Sequence, residues 1–149
     1  MSVAIRTATL EDEDAVLALI EELFDPPGAR PPAYTREVGS RGFRHAVEHP
    51  DADVLLALDG ERVVGLASVY ADILSIRYGP RCWLQDLVVT SSHRSLGVGK
   101  ALLDATTAWA RERGCTHLDL SSGDGRKDAH RFYLREGMVR SSCFQRWIE

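Results

Sequence analysis

The chain has 149 residues, 44% of them hydrophobic and 27% charged, which suits a single globular domain over residues 1–149 with a core of its own. A formal net charge of −4, and no apolar run near the roughly 20 residues of a membrane span, exclude nucleic acid and membrane as expected partners. The acid-rich start "MSVAIRTATLEDED" has no signal-peptide character, so a cytoplasmic location is expected.

In chain order, "VAIRTAT" (Val3 to Thr9) alternates apolar and polar residues as a half-buried strand does. Thr9 then introduces a helix whose first turn carries Glu11, Asp12, Glu13 and Asp14, where the positive end of the helix dipole favours acids. Ala15, Val16, Leu19, Ile20 and Leu23 recur at helical spacing until "DPPGARPPAY" breaks the run. A second helix starts near Thr35, carries Val38, Phe43, Ala46 and Val47, and ends before Pro50. "ADVLLALDGERVVGLASVY" reads as a hairpin turning at Asp59-Gly60. "RCWLQDLVVT" (Arg81 to Thr90) is a further strand, and Val98 to Arg113 a helix closed by Gly114. "THLDLSS" is a short strand, "GRKDAHRFYLREG" a helix, and "MVRSSCFQRWI" a closing strand or bent pair. The pattern predicts an α/β (α+β) fold, with a central mixed, twisted sheet of about six to seven strands and helices on both faces. Cys82, Cys115 and Cys143 are far apart and odd in number, and none has a CxxC or Cys/His zinc spacing, so neither a disulfide framework nor a metal is expected.

"HRSLGVGKALLDATTAWARERG" (His93 to Gly114) is a glycine-rich turn opening a helix, the usual place for a phosphate. As an ATPase loop it fails twice: Gly99-Lys100 is followed by Ala101 instead of a hydroxyl, and Arg94 stands where the first glycine belongs. As a dinucleotide turn it lacks the third glycine, replaced by Leu102. What remains is Arg94-x-x-Gly97-x-Gly99, whose glycines let backbone amides approach a ligand while Arg94, His93 and Lys100 add local positive charge.

"DLVVTSSHRSLGVGKALL" resembles the acetyl-CoA signature of the GNAT superfamily of N-acetyltransferases, Gln/Arg-x-x-Gly-x-Gly/Ala. "IRTATLEDEDAVLALI" is similar to that superfamily's first strand and helix, and "GRKDAHRFYLREGM" to its late helix, so the three matches span nearly the whole chain in the right order. The resemblance implies that acetyl-CoA is the co-substrate. It implies contacts from Arg94, Ser95, Leu96, Gly97, Val98, Gly99 and Lys100, from the backbone of Leu87, Val88 and Val89 along the pantetheine arm, and from Arg126. Two positions depart from the family pattern: Ser95 stands where many members have glycine, and Arg126 where many have asparagine.

An alkylamine with a pKa of about 10.4 is only about one part in 10³ neutral at pH 7, so a base must remove its proton. Asp86, in the strand before the phosphate turn, is the candidate base. Relatives often carry an acidic pair here; this chain has Gln85-Asp86, and neighbouring strand residues reach one pocket only across a bulge. By the same resemblance Tyr133 is the acid that protonates the leaving sulfur, and the first helix-helix connection (Phe24 and Tyr34) with the segment Ser141 to Trp147 lines the acceptor pocket, with Gln85 nearby. The expected function is transfer of an acetyl group from acetyl-CoA directly to a primary amine of a small molecule or peptide. The alternative is a non-catalytic acyl-CoA sensor of the same fold. The closing strand "CFQRWIE" leaves a homodimer possible.

Overall fold

A computed structural model describes residues 2–146. Its first strand, β1, covers Ala4–Thr7. Thr9 and Asp12 then close a capping box around a short 3-10 turn, Leu10–Asp12, with the Thr9 amide donating to Asp12 Oδ2 at 2.8 Å. Asp12 also accepts two bonds from the Arg6 guanidinium, at 2.8 and 2.9 Å, and these hold its carboxyl below the usual carboxylate pKa. Helix α1 follows over Glu13–Glu22, and α2 spans Arg36–Glu48 with Thr35 Oγ1 accepting from the Val38 amide at its N-terminus.

The sheet is built from β1, β2 (Ala52–Asp59), β3 (Arg62–Ser75), β4 (Gly79–Val89) and β5 (His117–Asp119) in that spatial order. All neighbours are antiparallel except β4 and β5, which run parallel because helix α3 (Val98–Glu112) crosses between them. Alternation along β2 divides the core. Val54, Leu56 and Leu58 join Val16, Leu19 and Phe43 beneath α1 and α2, while Leu55 and Ala57 join Leu102, Leu103 and Trp109 beneath α3. Helix α4 covers Lys127–Arg135 and lays Phe132 against the α3 side.

The architecture is the expected α/β one with helices on both faces, but the sheet has five strands, fewer than predicted. The closing strand does not form over residues 138–146, where Val139 and Phe144 are 92% and 96% exposed. Met138 and Phe144 fall on one face of a period-two pattern, and Val139 and Cys143 on the other, so neither face is apolar enough to bury. Trp147, at the end of the segment expected to line the acceptor pocket, lies outside the described residues. The hairpin between β3 and β4 is longer than its sequence suggested, with pairing that continues to Ser75 opposite Gly79.

Candidate active site

Where β4 passes Gln85, its pairing with β3 slips: Asp86 faces Ser68, but Leu84 faces Val69. Gln85 is therefore the extra residue of a bulge, the device that lets both Gln85 and Asp86 line one cavity. β5 bonds β4 only at Arg81, Cys82 and Trp83. From Leu84 to Val89 the strand has no second strand partner on that side among the described residues, and the Val89 carbonyl is taken by Arg94 Nε. A cleft of about 920 Å³ opens along this edge, bounded by Leu87–Val89, the turn after β4 and the first turns of α3 and α4. It adjoins a smaller cavity of about 200 Å³ at Leu23, Leu87, Arg126, Ala129 and Tyr133.

The glycine-rich turn is held from two sides. Glu22, at the end of α1, accepts from Thr90 Oγ1 at 2.9 Å and from the Ser91 amide at 3.3 Å. The buried His93 ring bonds Asp59 through Nε2 at 2.9 Å and Ser92 through Nδ1 at 2.8 Å, tying the turn to the β2–β3 hairpin. Arg94 Nε donates to the Val89 carbonyl at 3.0 Å, which fixes its guanidinium beside the strand end. Gly97 then adopts φ +85° and Ser95 φ +62°, turning the chain into α3. The first intrahelical bond runs from the Ala101 amide to the Gly97 carbonyl, so the amides of Val98, Gly99 and Lys100 have no partner in the helix. Free amides, the helix dipole and a fixed guanidinium together suit an anion. Lys100 bonds Asp104 and Glu136, both at 3.3 Å, so Glu136 is neutralised within the cleft.

The smaller cavity is lined by Asp86 and Tyr133, the two residues singled out for proton transfer. Asp86 Oδ2 accepts from Ser68 Oγ at 2.8 Å, and Ser68 Oγ in turn accepts from the Asp86 amide at 3.0 Å. Burial raises the Asp86 pKa above the ordinary carboxylate value, with the Ser68 hydrogen bond partly opposing it. Burial likewise raises the Tyr133 phenol, opposed by the nearby Arg126 charge, so Tyr133 keeps its proton throughout the neutral range. Cys82 is fully buried under α3 and its thiol is pushed up to about 12, mainly by desolvation, so it offers no thiolate for a covalent route.

Of the residues singled out in the sequence, Leu87, Val88, Val89, Arg94, Ser95, Gly97, Gly99, Lys100, Arg126 and Tyr133 line the cleft, and Gln85 and Asp86 the adjoining cavity. Leu96 and Val98 line neither; Val98 is buried against Leu102 in the core, and Leu96 is exposed. Phe24 and Tyr34 also lie outside both linings. Their rings meet edge to face at 4.7 Å, and Tyr34 Oη donates to Glu21 at 2.8 Å, bracing the connection between α1 and α2. Arg126 donates from Nη2 to the Leu23 carbonyl at 2.9 Å, which joins the start of α4 to the end of α1 where the two cavities meet. Gly28 packs into this junction, where an added Cβ would collide with the Leu23 carbonyl and approach Arg126 Nη2 to 2.6 Å. Leu23, Pro26, Pro27, Ser121 and Ser122 complete the walls. In the sequence Leu23 read as a helix residue, the proline pair as loop and the two serines as the end of a strand, and none carried a signal of a site.

The model of the Acetyltransferase (GNAT) family matches residues 16–138. The chain belongs to this family and is by class an N-acyltransferase. An aminoalkylphosphonate N-acetyltransferase of Salmonella typhimurium is 34% identical over 140 residues, covering 92% of this chain and 85% of that one. An uncharacterized N-acetyltransferase of Bacillus subtilis is 53% identical over 60 residues, 40% of this chain; the match spans 42% of that protein's own length. Among solved structures, an aminoglycoside N-acetyltransferase in complex with CoA superposes with a TM-score of 0.84 at 15% identity, over 99% of this chain and 95% of that one, which establishes a shared fold.

Proposed function

We propose that this chain transfers the acetyl group of acetyl-CoA directly to a primary amine of a small molecule or peptide. The observation that carries the reading is the adjacency of two differently built spaces: an anion seat with a free strand edge, and a small cavity holding Asp86 and Tyr133. The residues fit the co-substrate. The amides of Val98, Gly99 and Lys100 with Arg94 suit its diphosphate, and the strand edge at Leu87, which has no second strand partner among the described residues, suits an amide-bearing arm. Acetyl-CoA supplies the acyl group as a thioester, whose departing thiolate needs a proton.

Asp86 takes a proton from the acceptor ammonium; its raised pKa brings it nearer to neutrality, and so makes it a better base than an exposed carboxylate. Tyr133 Oη holds a proton on the opposite wall, available where negative charge develops. Arg126 holds the wall between the two spaces through Leu23. The raised pKa values of both Cys82 and Cys115 favour direct attack over a covalent enzyme intermediate. The volume of about 200 Å³ favours a small acceptor, and the Salmonella relative makes an aminoalkylphosphonate the first to try.

The test is release of free CoA from acetyl-CoA across an amine panel of 2-aminoethylphosphonate, neamine and a lysine-bearing peptide. Amine-dependent release supports the reading. Tight acetyl-CoA binding with no amine-dependent release contradicts it and favours a sensor.

A further inference from the structure

One wall of the smaller cavity is unused by these steps. Ser121, Ser122 and Gly123 follow β5 where it parts from β4, and they line the smaller cavity but not the larger cleft. Ser122 Oγ is buried and has no hydrogen-bond partner among the described residues. A hydroxyl stripped of water without replacement destabilises the fold, so one retained on the wall of a ligand-sized cavity points to a ligand that completes it.

The other groups on that cavity define the ligand. Asp86 commits Oδ2 to Ser68, leaving Oδ1 without a partner among the described residues. Gln85 has its side-chain carbonyl taken by Trp83 Nε1 at 2.6 Å. A primary ammonium carries three N–H bonds; one proton must leave to expose the lone pair, and an acceptor for one of the remaining N–H groups fixes the orientation of the nitrogen. We propose that Ser122 orients the acceptor, its Oγ accepting one N–H of the attacking amine while Asp86 receives the proton that departs. Loss of that proton leaves the lone pair facing Asp86, and the amine pivots about its bond to Ser122 to turn the lone pair toward the cleft where Leu87 and Tyr133 meet. The proposal rests on the acyltransferase reading and adds a residue that no motif indicated.

Ser122→Ala and Ser122→Cys separate this role from a structural one; both remove the strong acceptor, and the second keeps the side chain's shape. Steady-state kinetics with acetyl-CoA and 2-aminoethylphosphonate, or whichever panel amine the wild type acetylates, are expected to show kcat/KM for the amine falling about tenfold in both variants, with KM for acetyl-CoA unchanged. Thermal melting of the ligand-free variants is expected to show a Tm equal to or above that of the wild type, because a buried orphan has been removed. Unchanged amine kinetics in Ser122→Ala, or a fall in Tm with acetyl-CoA binding impaired in parallel, would overturn the proposal. A wild type that releases no CoA with any amine fails earlier, at the acyltransferase reading itself.

Discussion

Between Arg81 and Trp83, β4 is bonded on both edges, to β3 on one side and to β5 on the other. Between Leu84 and Val89 it keeps β3 alone. Both stretches are rich in apolar residues, and Cys82 and Leu84 alike are buried under α3. The second stretch holds the one inserted residue, Gln85, and borders the cleft without a second strand partner among the described residues. An unpaired edge is a hazard in a strand with no purpose for it. Here it lies between the glycine-rich turn and Asp86, the arrangement on which the proposed function rests.

The largest expected effect falls on the open half. Asp86→Asn keeps the bond from Ser68 but loses the base, and kcat should drop by about 10²-fold or more. In the wild type, kcat/KM should fall as pH drops through the raised Asp86 pKa, and the variant should lose that acid limb. Stability moves the other way. A carboxyl whose folded pKa is raised binds more protons folded than unfolded, so wild-type stability declines as pH rises from about 3.9, the unfolded value, through the folded one. Melting curves across pH should therefore show Asp86→Asn gaining on the wild type over that interval; a variant less stable at neutral pH would contradict this account of the site.

Tyr133→Phe should lower kcat tenfold or more with little change in acetyl-CoA affinity, since it removes a proton and leaves the ring. An unchanged kcat would remove Tyr133 from the chemistry. Arg94→Ala acts on the seat instead: the Kd for acetyl-CoA, measured by calorimetry, should rise about tenfold while kcat at saturation holds, in line with the loss of a charged hydrogen bond. The smallest effect is expected at Ser95, whose φ of +62° is strained for any residue with a Cβ. Ser95→Gly should raise stability by about 1 kcal/mol in denaturant titration, with kinetics unaltered.

Much of the frame was legible because it is written in local rules. Asp59-Gly60 marked the β2–β3 turn, Thr35 the start of α2, and Gly114 the end of α3, which runs Val98–Glu112 against an expected Val98 to Arg113. The arginine-and-glycine turn was legible for the same reason, since positive φ and free amides belong to a few consecutive residues. The bulge at Gln85 was not, because a bulge depends on what the partner strand does. The sequence could only state that Gln85 and Asp86 needed one. Nor were the walls supplied by Leu23, Pro27 and Ser122, residues far apart in the chain, or the bond from Arg126 to the Leu23 carbonyl that joins the end of α1 to the start of α4. Phe24 and Tyr34 illustrate the converse: aromatic residues in the expected connection, spent on each other and on Glu21. The missing closing strand reflects a local pattern too weak to commit, with apolar residues on both faces of residues 138–146.

The most direct measurement is a crystal structure with bound CoA. The account predicts diphosphate oxygens at hydrogen-bond distance, about 2.7–3.2 Å, from the amides of Val98, Gly99 and Lys100 and beside Arg94, with the thiol end reaching the junction of Leu87 and Tyr133. Density for the molecule elsewhere, or a seat left empty at saturating CoA, would contradict it.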